Sequence, residues 1–120
     1  MGTRIGINGF GRIGRLVLRA MIERYPDALD VVAINDLTDT RTNAHLFKYD
    51  SNYGPWDHDV RAAEGGIAID GRTVTVFTER DPGAIAWGSV DAEIVIESTG
   101  FFTDATKARA HVDAGGAKKV

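Results

Sequence analysis

The chain has 120 residues, of which 14 are glycine and none is cysteine, and its formal net charge is -3. This length suits a single domain. Hydrophobic residues make up 43% of the chain and charged residues 26%, which is enough apolar material for one packed core and excludes an intrinsically disordered chain. The lack of cysteine excludes a disulfide framework, a thiolate zinc site and a cysteine nucleophile within these residues. The weak, scattered charge argues against nucleic acid or an anionic membrane as a partner.

Neither a targeting signal nor a membrane span is expected. The first ten residues lack the apolar core of a signal peptide. The longest uninterrupted apolar run, Val31–Ile34, is far shorter than the roughly 20 residues that cross a bilayer. We therefore expect a soluble, cytoplasmic protein.

The beginning of the chain predicts a strand, a glycine-rich turn, a helix and a second strand. Ile5 and Ile7 alternate in a short β-like stretch that ends at Asn8. The apolar residues of the following helix recur at the spacing of one buried face: Ile13, Leu16, Val17, Ala20 and Met21. Pro26 ends this helix because proline disfavours the helical conformation in the residue before it. Val31–Ile34 is apolar throughout, as in a parallel strand buried on both faces, and it completes a βαβ unit.

The rest of the chain predicts shorter elements. Asp70 and Gly71 lie between two alternating runs, Ile67–Ile69 and Arg72–Phe77, which is a strong hairpin signal. The other predicted elements, in chain order, are a helix over Thr42–Lys48, a break at 52–55, a short helix from Asp81 to near Trp87, a strand at Ile94–Ile96, a helix from Thr103 to Ala114 and the opening of a strand at Lys118–Val120. This pattern predicts an α/β fold: a Rossmann-like, doubly wound, mostly parallel sheet with a small inserted antiparallel hairpin, truncated before its last strands.

The segment Gly9–Gly14 matches the G-x-G-x-x-G pattern, which is weak evidence by itself. Here it follows a strand, opens an amphipathic helix and lies within a βαβ unit, as a dinucleotide-binding turn requires. Gly9 permits the tight turn, Gly11 lets the backbone approach a pyrophosphate, and Gly14 allows close packing of helix and strand. The free N–H groups at the start of the helix would face a diphosphate. The alternative is that these glycines serve only the turn.

Asp36 ends the second predicted strand, 22 positions after Gly14. This is close to the spacing of about 20 at which an acidic side chain reaches the ribose hydroxyls of a dinucleotide. A carboxylate there accepts hydrogen bonds from a diol and repels a 2′-phosphate, so it favours NAD over NADP. Arg41 lies nearby and keeps NADP as the second possibility, and the alternative reading of Asp36 is a solvated turn residue.

The chain offers further polar residues after its other strands. Thr99 and Gly100 follow the strand at Ile94–Ile96, and Arg80 follows the strand that ends at Phe77. Ligands of open α/β sheets bind at the carboxyl ends of strands, so these residues are candidates for a cofactor crevice. The three histidines show no spacing that indicates a metal site or a catalytic triad, and no nucleophile with a matched base is found.

Five ordered motifs run along essentially the whole chain: 5–15 (IGINGFGRIGR), Ala33–Asp36, His45–Ser51, Glu79–Pro82 with Trp87-Gly88, and Glu97–Phe102. In order and spacing they resemble the N-terminal part of phosphorylating glyceraldehyde-3-phosphate dehydrogenases. The resemblance implies that residues 1–120 form an incomplete NAD-binding domain and that the catalytic domain is absent from this chain. The family's cysteine nucleophile, in a Ser-Cys-Thr-Thr-Asn motif, does not occur here, so no catalytic residue is expected.

The resemblance also assigns cofactor contacts. Arg12 and Ile13 would meet the pyrophosphate and the nicotinamide half of NAD, and Asp36 would hold the adenosine ribose. Arg80 would approach the adenine, and Thr99–Gly100 would line the cleft. The complete set of candidate cofactor-binding residues is Asn8, Gly9, Phe10, Gly11, Arg12, Ile13, Gly14, Asp36, Arg80, Ser98, Thr99, Gly100 and Phe102.

The implied function belongs to a larger enzyme. That enzyme would oxidise and phosphorylate glyceraldehyde 3-phosphate to 1,3-bisphosphoglycerate with NAD, as a homotetramer, while the isolated 120 residues would be inactive. Glyceraldehyde 3-phosphate and phosphate would therefore be partners of the intact enzyme only. Two alternatives stay open: an erythrose-4-phosphate dehydrogenase of the same fold, and a stand-alone nucleotide-binding module without catalytic function.

Overall fold

The computed structural model describes residues 2–38, 40–49, 58–100 and 108–120. The helices and strands of these residues, in chain order, are β1 (Thr3–Asn8), α1 (Arg12–Arg24), β2 (Leu29–Asn35), α2 (Thr40–Tyr49), β3 (Val60–Ala63), β4 (Gly66–Ile69), β5 (Arg72–Phe77), β6 (Ile94–Glu97) and α3 (Ala110–Asp113). Two 3₁₀ helices, Pro82–Ala84 and Trp87–Val90, lie between β5 and β6. Among the described residues, no helix is long and apolar enough to cross a membrane.

The strands form one sheet in the order β3-β4-β5-β2-β1-β6. β1 pairs in parallel with β2 and with β6, and β2 pairs in parallel with β5. β3, β4 and β5 form an antiparallel extension at the other edge. Beside β6, Lys119 makes a parallel bridge to Ile94, where the sequence predicts the opening of a further strand. The predicted α/β fold, mostly parallel with an antiparallel hairpin, is confirmed.

Two hydrophobic clusters cover the two faces of the sheet, as a doubly wound fold requires. Ile34 of β2 belongs to the cluster under α1 and α2, together with Leu18 and Phe47. Ala33, its neighbour in β2, belongs to the second cluster with Trp87. Because successive residues of a strand point to opposite faces, β2 is packed on both sides.

The predicted buried face of α1 is right at Met21, which packs partly buried against the core, and wrong in the first turns of the helix. Ile13 is 66% exposed and Leu16 is 50% exposed, whereas Gly14 and Leu18 are buried. A Cβ atom on Gly14 would lie 2.3 Å from the carbonyl oxygen of Gly9, so the helix packs on the preceding turn along its Gly14 side. That contact turns the helix so that Ile13 and Leu16 leave the core.

The hairpin prediction is confirmed, and the structure adds a strand to it. Asp70 and Gly71 both have positive φ, 51° and 85°, as a two-residue type I′ turn requires. β3 pairs with β4 but was not predicted, because its short run has two exposed residues and no clear alternation.

The shorter helices differ in how well they were predicted. The helix predicted over Thr42–Lys48 is confirmed as α2. The single short helix expected after Asp81 is wrong, because the chain forms two 3₁₀ turns instead, and the second begins at Trp87 rather than ending there. Ile85 and Trp87 are both buried on the same side, which interrupts a regular helix between them. The predicted break at 52–55 and the predicted helix start at Thr103 lie outside the described residues.

Candidate functional site

The candidate site lies at the carboxyl ends of β1, β2, β5 and β6. A cleft of about 230 Å³ opens there, and its lining residues are Asn8, Asn35, Asp36, Leu37, Glu79, Arg80 and Thr99. Four of the predicted cofactor-binding residues, from four distant parts of the sequence, are therefore brought together in one cleft. The register of the strands explains this, because Asn8 aligns with Asn35 on one side and with Glu97 on the other.

The glycine turn forms one rim of this site. Gly9 has a φ of 94°, and a Cβ atom there would lie 2.8 Å from the backbone nitrogen of Thr99. The conformation and the packing thus both require glycine at this position. In contrast, a Cβ atom on Gly11 would have no neighbour within 4 Å, so the space in front of Gly11 is open.

The start of α1 fits a diphosphate group. Gly11 is its N-cap and provides no side-chain hydrogen bond to the first N–H groups of the 13-residue helix. Uncapped N–H groups and the positive end of the helix dipole favour a bound anion. Arg12 and Ile13 are exposed in this first turn. An open approach and free donors are the features that a pyrophosphate needs here.

The carboxylate of Asp36 is held beside the glycine turn. Its Oδ1 accepts a hydrogen bond from the backbone N–H of Phe10 at 3.3 Å, and its Oδ2 accepts one from Thr38 at 3.3 Å. The backbone N–H of Asp36 donates to the carbonyl of Phe77 at 2.9 Å. These bonds fix a half-buried carboxylate at the end of β2, in the lining of the cleft.

A buried pair of asparagines lies beneath the cleft. Asn35 donates through Nδ2 to Oδ1 of Asn8 at 2.8 Å and to the carbonyl of Glu79 at 2.9 Å. The N–H of Glu79 donates back to Oδ1 of Asn35 at 2.9 Å. Because both asparagine side chains are buried and paired, they join the ends of β1 and β2 to the segment after β5.

Glu97 continues this network at the end of β6. Its Oε1 accepts hydrogen bonds from Nδ2 of Asn8 and from Nε2 of His111, both at 2.7 Å. Its Oε2 accepts from the N–H of Thr99 at 3.0 Å and from the Thr99 hydroxyl at 2.6 Å. Burial raises the pKa of Glu97, but the hydrogen bonds from His111, Thr99 and Asn8 outweigh it, so the pKa lies below the ordinary value of 4.5.

Two predicted residues, Phe10 and Ser98, support the glycine turn from below with their side chains rather than lining the cleft. The ring of Phe10 is buried in the core, 5.4 Å from the ring of Phe47, so only its backbone belongs to the turn. The hydroxyl of Ser98 donates to the carbonyls of Gly9 and Asn8 at 2.7 and 3.1 Å and thereby holds the turn from below. Phe102 lies outside the described residues.

The predicted residues Arg80 and Gly100 are exposed. Arg80 lines the cleft, and Gly100, which follows the lining residue Thr99, has a φ of 82° and open space where a Cβ atom would lie. The ring of His45 packs beside that of Tyr49, and His58 pairs with Asp70, and neither histidine is among the residues that line the cleft. Within the described ranges, no group of three or more His, Asp and Glu side chains could hold a metal ion.

Sequence reasoning missed the roles of His111 and Glu97. The sequence gives His111 no spacing that indicates a function, and the structure shows it fully buried and bonded to the carboxylate of Glu97. One signal was available: a glutamate that directly follows the apolar run Ile94–Ile96 must find buried hydrogen-bond partners. The sequence does not show which residue provides them.

A parallel sheet with a glycine turn between β1 and α1 and an aspartate at the end of β2 defines a Rossmann-type dinucleotide-binding domain. Residues 3–105 match the family model described as "Glyceraldehyde 3-phosphate dehydrogenase, NAD binding domain". The chain belongs to this family, and its cofactor is NAD. The resemblance seen in the sequence is thereby confirmed.

Proteins named glyceraldehyde-3-phosphate dehydrogenase match this chain over nearly its whole length. Glyceraldehyde-3-phosphate dehydrogenase 1 of Streptomyces arenae is 58% identical over 120 residues, which are 100% of this chain and 35% of that protein. Glyceraldehyde-3-phosphate dehydrogenase of Clostridium pasteurianum is 52% identical over 118 residues, which are 98% of this chain and 34% of that protein. The chain thus spans about a third of the length of the curated relatives that it matches.

Proposed function

We propose that this chain is the cofactor-binding part of an enzyme that oxidises and phosphorylates glyceraldehyde 3-phosphate with NAD. The proposal is carried by one observation: the uncapped start of α1 at Gly11 opens beside the fixed carboxylate of Asp36. These two features match the diphosphate and the ribose diol of a dinucleotide. The names of the relatives support the choice of aldehyde substrate.

The binding mode assigns one part of the cofactor to each side of the cleft. The diphosphate lies at the N–H groups after Gly11, with the guanidinium of Arg12 beside it. The carboxylate of Asp36 accepts hydrogen bonds from the adenosine ribose and repels a 2′-phosphate, and Arg80 borders the adenine. Thr99 and its neighbour Gly100 line the opposite wall. NAD supplies the hydride acceptor, while these residues bind and orient it.

The remaining parts of the proposal concern the whole enzyme. The cysteine nucleophile and the groups that bind aldehyde and phosphate belong to a catalytic domain outside these 120 residues. The enzyme is a cytoplasmic homotetramer, and residues 1–120 are an incomplete NAD-binding domain with no dehydrogenase activity of its own. NADH formation from glyceraldehyde 3-phosphate, NAD and phosphate by the isolated chain would contradict this assignment.

The binding mode is tested by titrating NAD and NADP into the chain by calorimetry. Gly11→Val leaves the fold intact, because its side chain enters open space, but it blocks the diphosphate and lowers NAD affinity by about a hundredfold. Asp36→Ala lowers NAD affinity by about tenfold and removes the preference for NAD over NADP. Asp27→Ala, which removes the same charge at an exposed position, is the matched control and leaves both affinities unchanged.

Each variant has an outcome that counts against the proposal. A folded Gly11→Val chain with undiminished NAD affinity excludes the diphosphate from the start of α1. An Asp36→Ala chain that still prefers NAD excludes the ribose contact. Circular dichroism of every variant establishes that the fold is retained.

A further inference from the structure

We propose that His111 is a positioning residue of the NAD cleft: through the carboxylate of Glu97 it fixes Thr99 against the glycine turn. This inference rests on the proposed function, because it takes Thr99 as part of the cofactor wall. His111 itself lies in α3 and is fully buried, so it does not touch the cofactor. Its effect on binding passes through the hydrogen bonds of Glu97.

The directions of the hydrogen bonds determine the tautomer of His111. The indole Nε1 of Trp87 lies 3.0 Å from Nδ1 of His111, and an indole nitrogen can only donate. Nδ1 is therefore the acceptor, and the ring proton of neutral His111 is on Nε2. Nε2 then donates to Oε1 of Glu97 at 2.7 Å. The ring is thus held between one donor and one acceptor.

Glu97 transmits this constraint to the cleft. Its two oxygens have different donors: Oε1 accepts from His111 and Asn8, and Oε2 accepts from the N–H and hydroxyl of Thr99. Only 10% of the Glu97 side chain is exposed, so water does not readily replace a lost donor. Without His111, the carboxylate keeps Asn8 as the one donor on Oε1, and its orientation is less tightly constrained.

If the carboxylate of Glu97 rotates, Thr99 cannot move with it without changing its packing against the glycine turn. Its backbone nitrogen lies where a Cβ atom on Gly9 would approach to 2.8 Å, so Thr99 and the glycine turn are packed together. The carboxylate of Glu97 is the acceptor of both the N–H and the hydroxyl of Thr99. A displaced carboxylate therefore alters the spacing between the two walls of the cleft.

The test compares His111→Phe, which keeps a ring without hydrogen bonds, with His111→Gln, whose Nε2 can still donate to Glu97. We expect His111→Phe to shift the amide signal of Thr99 in the NMR spectrum, to speed its hydrogen exchange, and to weaken NAD binding by about tenfold. We expect His111→Gln to restore the Thr99 signal and to bind NAD within about twofold of the unmodified chain. His45→Phe, at an exposed position of α2, is the control and changes neither readout.

The readouts separate the failure of this inference from the failure of the proposed function. If the unmodified chain does not bind NAD, the proposed function fails, while the Thr99 amide signal still tests the link from His111. A folded His111→Phe chain with an unchanged Thr99 signal overturns the inference. If His111→Phe does not fold, the ¹⁵N signals of the His111 ring decide: a proton on Nε2 supports the inference, and a proton on Nδ1 overturns it.

Discussion

Two of the glycines with positive φ, Gly9 and Gly71, lie in turns that differ in their surroundings. The turn between β1 and α1 has Gly9 at 94°, and a Cβ atom there would meet the backbone of Thr99 at 2.8 Å. The turn between β4 and β5 has Gly71 at 85°, and a Cβ atom there would have no neighbour within 4 Å. The first glycine is required by conformation and by packing, and the second by conformation only.

Each turn also has a histidine paired with a carboxylate nearby. Nε2 of His111 lies 2.7 Å from Oε1 of Glu97, and these side chains are 0% and 10% exposed. Nδ1 of His58 lies 2.6 Å from Oδ2 of Asp70, and these side chains are 32% and 49% exposed. The two pairs have nearly the same nitrogen–oxygen distance, so burial rather than distance determines what each contributes to stability.

The largest loss of stability is expected when the glycine of each turn is replaced by alanine. Gly9→Ala adds a contact with the Thr99 backbone to the strain of a positive φ, and should lower the free energy of unfolding by about 3 kcal/mol. Gly71→Ala adds only the strain and should cost about 1 kcal/mol. Urea unfolding followed by circular dichroism measures both values. Equal losses would mean that the packing around Gly9 relaxes at no cost.

The second largest loss of stability is expected when the buried carboxylate is replaced by its isosteric amide, and the exposed carboxylate provides the comparison. Glu97→Gln replaces an acceptor of four hydrogen bonds with a group that has one acceptor oxygen, and it should lower the free energy of unfolding by about 2 kcal/mol. Asp70→Asn is the matched control. Asparagine tolerates the φ of 51° at this exposed position, so the change in stability should be small. A loss for Asp70→Asn as large as that for Glu97→Gln would show that burial does not distinguish the pairs.

The same contrast explains which features were predictable from the sequence. The turn at Asp70-Gly71 depends on local backbone conformation, and its residue types are sufficient to predict it. The place of Asp36 after β2 in the cleft was predictable because the end of a buried strand after a glycine motif is a recurrent position for an acidic residue. The predicted face of α1 failed at Ile13 and Leu16 because Gly14 packs on the carbonyl of Gly9, a contact that hydrophobic spacing does not contain.

The buried network was the least predictable part of the site. His111 and Glu97 are 14 residues apart, at different secondary-structure elements, and the ring also needs Trp87 from a 3₁₀ turn. No periodic pattern relates these positions. Their meeting depends on the packing of α3 against the sheet, which is a property of the assembled fold.

The third and smallest expected effect is on how the free energy of unfolding depends on pH in acid. The pKa of Glu97 is lower in the folded chain than its ordinary value of 4.5, so the ionised carboxylate stabilises the fold above pH 4.5. This contribution is lost as the pH falls below 4.5 and through the lowered pKa of the folded state. Glu97→Gln removes the titration, so the free energy of unfolding should decrease less steeply below pH 4.5 than in the unmodified chain.

The hydrogen bond from His58 lowers the pKa of Asp70 as well, from an ordinary value of 3.8, so its contribution also disappears in acid, below pH 3.8. Because Asp70 is exposed to solvent, Asp70→Asn should change the acid limb much less than Glu97→Gln does. Urea unfolding at a series of pH values between neutrality and the acid limit provides the comparison. If the free energy of unfolding falls equally steeply with decreasing pH for Glu97→Gln and for the unmodified chain, the buried carboxylate does not lose its proton-linked stabilisation in this range. The two pairs would then differ in burial but not in their response to acid.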